Sequence, residues 1–558
     1  MKKLAVCCFF LFCAFPARAQ YTRQDTLRGS NGRGRDWWDV LSYSLMIEFD
    51  TARGIIAGYN IVNFRVTDES RDSMQIDLQD GMSIRDMKQI DKDGKPLAFT
   101  RDGNVCWVKK PPGAWEKGRN YKIMVRFKGR PRTAVNPPWD GGFIWSRDSL
   151  GKPWIAVACQ FLGASSWWPC KDYQGDEPDS GMSVSYSIGT TLPGEKGNLD
   201  CIGNGRRSEY VMEDPIDGSK YVAYSVRNPI NTYNTTFYIG DYAHWRDTLR
   251  GEKGVLDLDF YPLKYHEPQA RNHWAVTKDM LRCFEHWFGP YPFYEDGYKL
   301  VEAPYLGMEH QGAIAYGNGY KMGYRGSDLS KTGVGLSYDY IIIHESAHEW
   351  FGNNITARDQ AENWLHESFA TYGEVLFIEW IRGKDSAFRY TRDLWGNLRF
   401  DGTHVIGNYG VNYKANSNIY YKGAAILHMI RIMLHDDEKF RQLMRGLNRD
   451  FYHKIVSSKD VEAYFSRVSG MNLAPFFNQY LRQAGVPIVH AKQTGEYIKL
   501  DMLAYDEALK LPVYDQNGKF VCELSRMPVS IPVKDLPALL NYLIVYVPET
   551  GTTELPPN

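Results

Sequence analysis

The stretch YDYIIIHESAHEWFGN, residues 338–353, decides how this sequence is interpreted. It places an apolar run directly before His344 and His348, which stand four positions apart. In an α-helix, side chains at positions i and i+4 lie on the same face, so both imidazoles can reach one metal ion. Glu345 lies about 100° around such a helix, close enough to hold a metal-coordinated water. By itself, the pattern also fits two solvated histidines on an ordinary helix.

A second helical stretch, ENWLHESFATYGE at residues 362–374, supplies the third protein ligand that a zinc site requires. A helix antiparallel to the first would bring the carboxylate of Glu367 to the same ion. Glu374 lies two turns further along the same face and is predicted to bind the free N–H of a ligand histidine. His366 is a competing ligand, but neighbouring helical positions point about 100° apart, so only one of the two can face the ion. We favour Glu367, because it shares a face with Glu374.

Length and composition exclude some classes of protein. The chain has 558 residues, which is more than a single core supports, so several domains are expected. Lys and Arg number 66 and Asp and Glu also number 66, so the sequence does not predict a basic nucleic-acid-binding surface. The 37 tyrosines and 16 tryptophans favour β-rich domains with aromatic cores, and a surface that stacks on sugars or peptides is the alternative.

The first twenty residues, MKKLAVCCFFLFCAFPARAQ, are typical of a secretory signal peptide. Two lysines precede an apolar run that is too short to span a bilayer as a mature helix, and ARA at 17–19 fits a cleavage site. We therefore expect a signal peptide at 1–19 and a periplasmic or extracellular protein without a transmembrane segment. An uncleaved anchor is the alternative. Six cysteines remain, without CxxC spacing, and some could pair in an oxidising compartment.

The pattern of apolar residues divides the mature chain into three parts. Short alternating strands with Gly, Asp and Asn turn signals predict an N-terminal antiparallel β domain at 20–260. Helical periodicity then predicts a helical domain at 261–485, which contains both predicted metal-binding stretches. Strand-like runs return after Gly485 and predict a small C-terminal β domain at 486–558.

The two metal-binding stretches, together with four others in the same order, resemble the M1 family of zinc aminopeptidases, which includes alanyl aminopeptidases and leukotriene A4 hydrolase. The four stretches are QFLGASSWWPCKD (160–172), GMEHQGAIAY (307–316), IYYKGAAILHMIR (419–431) and FFNQYLRQAGVP (476–487). The resemblance covers roughly residues 38 to 490. It implies a multidomain α+β fold with an N-terminal antiparallel β saddle, a thermolysin-like catalytic domain, a small C-terminal β-sandwich-like domain and one zinc ion per chain.

The resemblance also implies catalytic roles. With zinc held by the two histidines and the glutamate already named, Glu345 becomes the general base that takes a proton from the zinc-activated water. Tyr420, the first tyrosine of YYKG, becomes the hydrogen-bond donor to the oxyanion. Tyr420 could instead be a core aromatic residue, with Tyr421 or Tyr413 as the donor. Tyr421 also stands where the family usually has Glu.

The GMEH segment is expected to recognise the free end of a peptide. A free α-amine is largely cationic near neutral pH, and Glu309 is the carboxylate expected to bind it. In the family, the backbone of this loop lies along the substrate, which adds Gly307, Met308 and His310 to the substrate-binding residues. Gln160 matches the second residue at the amine. His310 replaces the usual Asn, which leaves the substrate preference open.

The predicted function is that of an exported zinc aminopeptidase, a hydrolase that acts on peptides with a free N-terminus. Epoxide hydrolysis of a lipid is the alternative within the enzyme class, because Glu309 would serve both reactions. A scaffold that only binds peptides or glycans would not need a general base at Glu345. An endopeptidase would bring no amine to Glu309. The sequence does not predict the side-chain preference, the physiological substrate or the oligomeric state.

Overall fold

The computed structural model of the chain describes residues 21–91, 94–188, 199–209, 212–213, 220–412, 416–515 and 517–548. The predicted signal peptide and Tyr413 lie outside these ranges. Within them, no helix is both long and apolar enough to cross a membrane.

The first half of the chain consists mainly of strands. Helix α1 (Arg23–Gly29) comes first, and the strands that follow are Trp38–Asp50 (β1), Ile55–Val66 (β2), Ser73–Asp77 (β3), Met82–Gln89 (β4), Phe99–Asp102 (β5), Val105–Lys109 (β6), Asn120–Gly129 (β7), Gly142–Arg147 (β8), Pro153–Ala158 (β9), Ser183–Ile188 (β10), Asp200–Gly203 (β11), Arg206–Arg207 (β12), Met212–Glu213 (β13), Lys220–Ser225 (β14), Phe237–Gly240 (β15), Trp245–Gly251 (β16) and Gly254–Tyr261 (β17).

The second half is mainly helical up to residue 482 and then returns to strands. Its helices are Glu267–His273 (α2), Thr277–Phe288 (α3), Tyr340–Ala347 (α4), Trp364–Arg382 (α5), Lys384–Leu394 (α6), Tyr421–Leu434 (α7), Asp437–Asp450 (α8), Ser458–Ser469 (α9) and Ala474–Arg482 (α10). Its strands are Tyr298–Glu302 (β18), Gly307–Met308 (β19), Ile314–Tyr316 (β20), Ile355–Ala357 (β21), Lys454–Val456 (β22), Ile488–Thr494 (β23), Tyr497–Leu503 (β24), Leu511–Tyr514 (β25), Phe520–Leu524 (β26), Val529–Pro532 (β27) and Val545–Pro548 (β28).

The large N-terminal sheet has the strand order β12-β14-β10-β1-β2-β7-β4, with β13 beside β14. Buried side chains alternate along β1, as a half-buried strand requires. The predicted antiparallel arrangement is wrong for one pair, because β1 and β10 run parallel from the pair Ser44–Ser183 to the pair Phe49–Ile188. The long stretch of chain between these two strands allows the crossover that parallel pairing needs.

A second sheet crosses the boundary that the sequence places at residues 260–261. Its order is β16-β17-β18-β20-β19, and β17 pairs with β18 in parallel, starting with Leu258 opposite Tyr298. Strands β16 and β17 therefore share a sheet with the segment that carries Glu309. The alternating pattern of a strand identifies the strand but not the sheet that it joins.

Two hydrophobic cores hold the described residues together. The N-terminal core is aromatic, as the composition predicts, and it buries tryptophans such as Trp37, Trp115 and Trp167. The second core runs without a break from the helical region into the C-terminal strands. Lys422, buried near the start of α7, donates hydrogen bonds to the carbonyls of Gln483, Ala484 and Gly485, which lead into β23. The predicted fold class, a multidomain α+β protein, is confirmed.

The six cysteines of the described chain are buried and unpaired. Pairing among them, which an exported protein allows, does not occur in this structure.

Candidate active site

Local signals fix the helix that carries the two histidines. The carboxylate of Asp339 caps the start of α4 by accepting the backbone N–H of Ile341 at 2.9 Å, and the following isoleucines are buried in the core. The helix ends at Ala347, and His348 follows with a backbone that is still helical, at φ −63° and ψ −18°. The spacing that places His344 and His348 on one side is therefore preserved.

The predicted ligands come together. The Nε2 atoms of His344 and His348 lie 3.4 and 3.3 Å from the same carboxylate oxygen of Glu367. One ligand atom from each of the three residues lies within 4.8 Å of the other two. All three side chains are buried. Within the described ranges, no other group of His, Cys, Asp or Glu residues meets the same geometric condition.

Hydrogen bonds to the far side of each imidazole leave its Nε2 free to bind a metal. The Nδ1 atom of His344 lies 2.8 Å from a carboxylate oxygen of Glu374, and that of His348 lies 2.9 Å from the carbonyl of Phe351. Nδ1 is therefore the protonated nitrogen in each ring. Tyr338 and Tyr390 hold Glu374 in turn through hydrogen bonds of 3.0 and 2.8 Å. Two oriented imidazoles and one carboxylate form a donor set that would suit zinc.

The electrostatics of the cluster favour a cation. Burial by itself lowers the pKa of His344, but the carboxylates of Glu367 and Glu374 more than offset this and raise it well above its usual value. Burial opposes ionisation of Glu367, yet the charge and hydrogen bonds of the two histidines hold its pKa below its usual range. Carboxylates that stabilise positive charge on imidazoles also stabilise a metal ion between those imidazoles.

His366, the alternative ligand, points elsewhere. Its Nε2 atom accepts the backbone N–H of Ala357 at 2.8 Å, and the side chain is buried against β21. Burial lowers the pKa of His366 to about 3. Of the two neighbouring candidates, only Glu367 belongs to the cluster.

Glu345 lies beside the cluster and against β19. A Cβ atom on Gly307 would stand 2.8 Å from a carboxylate oxygen of Glu345, so only glycine lets the strand pass this close. Burial raises the pKa of Glu345 to about 7, although the neighbouring histidines partly counteract it. A carboxyl group with a pKa near neutrality can both accept and return a proton.

Glu309 forms the centre of a second group of polar side chains. One of its carboxylate oxygens accepts a hydrogen bond of 2.5 Å from the amide of Gln160 and one of 3.2 Å from the hydroxyl of Tyr233. The amide of Gln160 also lies 3.2 Å from Glu367, which joins this group to the metal-binding residues. Burial raises the pKa of Glu309. The sequence gives no signal for Tyr233, because it lies in a short turn without a recognisable motif.

His310 and Met308 are buried, and His310 anchors the loop around Glu309. The Nδ1 atom of His310 lies 2.8 Å from the hydroxyl of Tyr238, which itself donates to the carbonyl of Ala313. Burial lowers the pKa of His310 to about 3, so the ring stays neutral. The buried ring thus holds the loop that carries Glu309, and the role of this loop in substrate binding stays a prediction.

Glu349, which directly follows the second histidine, supports the same loop from below. Its carboxylate accepts hydrogen bonds from the hydroxyl of Tyr291, the backbone N–H of Gly312 and the amide of Asn353. The amide of Asn353 also donates to the carbonyl of Glu309 at 2.9 Å. Helix α4 and the Glu309 loop are thereby linked by buried hydrogen bonds that the sequence did not predict.

Tyr420 stands immediately before α7, beside His344. Its ring is stacked against His344 with 6.0 Å between the ring centres. Burial and the nearby carboxylates, Glu367 first among them, raise the pKa of Tyr420 well above 10, so the hydroxyl keeps its proton. Tyr421 lies closer to Glu374 and Tyr324, and burial raises its pKa to about 12. Of these two tyrosines, Tyr420 is the one beside the ligands.

Comparisons with known proteins agree with this geometry. The sequence model described as the Peptidase family M1 domain matches residues 273–480. The chain is 26% identical over 465 residues to "Probable aminopeptidase 1" of Sulfurisphaera tokodaii, which covers 78% of this chain and 54% of the relative. It is 23% identical over 491 residues to "Aminopeptidase N" of Lactobacillus delbrueckii subsp. lactis, covering 82% and 52%. The chain thus spans about half the length of the curated relatives that it matches.

Solved structures share the fold. An M1 zinc metallopeptidase mutant from Deinococcus radiodurans, solved with a Tyr-Ser-Ala substrate, matches with a TM-score of 0.64 and 19% identity. The match covers 80% of this chain and 95% of that one. The matched family domain contains the two histidines and Glu367 and most of the helices described above. Residues 273–480 therefore match the peptidase family M1 domain, and the three clustered ligands lie inside this match.

Proposed function

We propose that this chain is a zinc-dependent aminopeptidase that hydrolyses the N-terminal peptide bond of peptides with a free α-amine. The observation that carries this proposal is the buried carboxylate of Glu309, which is joined to Glu367 through the amide of Gln160. It offers negative charge next to the metal-binding residues, where a substrate's ammonium group would be held. The aminopeptidase names of the relatives support the same activity.

One zinc ion would be held by the Nε2 atoms of His344 and His348 and the carboxylate of Glu367. When bound, zinc supplies Lewis acidity, which lowers the pKa of a water molecule and polarises a carbonyl group. The residues of the chain carry out the remaining steps. Glu309 binds the α-ammonium group and Gln160 fixes the direction of the Glu309 carboxylate, so that the first peptide bond, and not an internal one, faces Glu345.

Proton transfer falls to Glu345. Its carboxylate takes a proton from the attacking water and delivers it to the nitrogen of the leaving amine, for which a pKa of about 7 is well matched. Tyr420 donates its O–H to the oxygen on which negative charge develops, and its high pKa keeps that proton in place. Glu345 is buried and Tyr420 is partly buried, which strengthens these interactions because less water competes for them.

The activity can be tested with purified protein and fluorogenic aminoacyl substrates. We expect hydrolysis that is lost with a strong chelator and restored by zinc, with about one zinc ion per chain at full activity. Acetylation of the substrate's amine should abolish cleavage, because Glu309 then has no positive charge to bind. Equal turnover of free and acetylated substrates would contradict the proposal.

We also propose that the enzyme works outside the cytoplasm. The support is the sequence of residues 1–19, with its two lysines, apolar run and small-residue cleavage pattern. N-terminal sequencing of the protein from the periplasmic or secreted fraction should begin at Gln20. Recovery of an uncleaved, membrane-bound chain would favour the anchor.

A further inference from the structure

The segment that precedes the first strand reaches the active site. Residues 21–35, the α1 segment, lie outside the matched family domain, yet the guanidinium of Arg28 contacts three separate parts of the chain. It donates to the carbonyl of Phe161 at 2.6 Å, to the side chain of Asn412 at 2.9 Å and to the carboxylate of Asp172 at 3.2 Å. The Arg28 side chain is only 12% exposed. An arginine buried with all these acceptors is a fixed structural contact.

The turn that Arg28 contacts is the one that carries Gln160. Phe161 has a φ of 59°, in the left-handed region that non-glycine residues seldom adopt. Gly163, two residues on, has a φ of 95°, and a Cβ atom there would lie 2.2 Å from a guanidinium nitrogen of Arg28. The backbone N–H of Leu162 donates to the carbonyl of Gln160 at 2.6 Å, which closes the turn. A strained conformation of this kind persists only where neighbouring groups hold it.

The α1 segment is itself firmly anchored. Arg23 pairs with Asp102 of the N-terminal β region, and the carbonyl of Asp25 accepts the backbone N–H of Asn412. The guanidinium of Arg35 donates to the carbonyl of Arg28 at 2.8 Å, which fixes the end of the helix. Arg28 therefore projects from a support that is tied to both halves of the molecule.

We propose that Arg28 is a positioning residue for recognition of the substrate's amine. By holding the carbonyl of Phe161, it keeps the amide of Gln160 directed at Glu309 and Glu367. The inference rests on the proposed function, since the role of Gln160 is defined by the aminopeptidase reaction. Arg28 touches none of the metal-binding residues and does not contact Glu345, so it acts on substrate binding and leaves metal binding and proton transfer unchanged.

The test measures kcat and KM for a free-amine substrate with the full-length enzyme. Arg28→Ala should raise KM about tenfold, as expected when a hydrogen-bonded positioning contact is lost, with kcat within about threefold and the zinc content unchanged. Arg28→Lys keeps the charge, but its ammonium group cannot hold the three acceptors in the same geometry. Its KM should therefore lie between those of wild type and Arg28→Ala. Arg33→Ala is the matched control, because it removes an exposed arginine from the same segment, and its KM should equal that of wild type.

A double-mutant cycle separates positioning from general support of the fold. If Arg28 acts through Gln160, then Arg28→Ala should have almost no further effect on KM in a Gln160→Ala background. The inference would be overturned if the effects of Arg28→Ala and Gln160→Ala on KM multiplied in the double variant. It would also be overturned if Arg28→Ala left KM unchanged, or if it lowered only kcat or the zinc content. If Arg28→Ala does not fold, Arg28→Lys and Asn412→Ala give the same comparison. An inactive wild-type enzyme would instead refute the proposed function.

Discussion

The two halves of the active site are built in different ways. The metal-binding half, with His344, His348 and Glu367, comes from α4 and α5, which are close in sequence and share one core. The half proposed to bind the amine, called the amine-binding half below, brings together Gln160, Tyr233 and Glu309, which come from three distant segments. The difference shows that the cluster of metal-binding residues is encoded by residue spacing along helices, whereas the group around Glu309 depends on packing between the N-terminal β region and the helical region.

This comparison predicts that changes in the two halves affect different measured quantities. A change in or beside the metal-binding half should reduce kcat or zinc binding, because the residues there are the ones proposed to contact the reacting atoms. A change in the amine-binding half should mainly alter KM and the preference for a free amine, because its residues are proposed to bind the N-terminal end of the substrate.

The largest effect is expected for Glu345→Gln, on α4 beside the metal-binding residues. The amide cannot accept the proton, so kcat should fall about 10²–10⁴-fold, the usual contribution of a positioned general base. Zinc content should stay near that of wild type, because Glu345 is not a ligand. Steady-state kinetics and metal analysis check this, and Glu438→Gln, at an exposed position on α8, is the control. Full activity in Glu345→Gln would contradict the mechanism.

A smaller effect is expected for Glu309→Gln, in the amine-binding half. The change keeps the size of the side chain but removes the charge opposite the substrate's ammonium, so KM should rise about 30-fold, the equivalent of about 2 kcal/mol. Cleavage of an acetylated substrate should remain negligible, and zinc should still bind. An unchanged KM would show that the amine is recognised elsewhere and would remove the distinction between the two halves.

The last prediction concerns stability and not catalysis, at the packing that supports the amine-binding half. Glu177 accepts hydrogen bonds from Thr356, on β21, at 2.5 Å and from Asn231, in the turn beside Tyr233, at 3.3 Å. Burial raises the pKa of Glu177 to about 7. Protonation is thus favoured in the folded state, and the stability it contributes is complete below about pH 4.5 and lost as the pH rises through 7.

Glu177→Gln should therefore raise the free energy of unfolding by about 1–3 kcal/mol at pH 8 and leave it almost unchanged at pH 4.5. Urea unfolding at the two pH values measures the difference. The Glu496→Gln variant, at an exposed position in the turn between β23 and β24, should show no such dependence on pH. An equal increase in the free energy of unfolding at both pH values would mean that ionisation of Glu177 does not destabilise the folded state.

Sequence reasoning was most effective where short-range geometry decides the outcome. The helical periods of α4 and α5 and the choice of Glu367 over His366 follow from the 3.6-residue turn, which the sequence displays directly. The parallel pairing of β1 with β10 and the sheet that crosses residue 260 depend on which strands meet, and an alternating pattern carries no such information. Tyr233 and Arg28 were missed for the same reason, since their partners are remote in sequence.

Lys422 has a consequence for the local unfolding of the molecule. It stands two residues after Tyr420 and ties the start of α7 to the carbonyls that lead into β23. The C-terminal strands and the tyrosine that faces the metal-binding residues should therefore belong to one cooperative unfolding unit, and their backbone amides should exchange with solvent at similar free energies of opening. Local unfolding of the last strands would then affect Tyr420 before it affected His344 and His348.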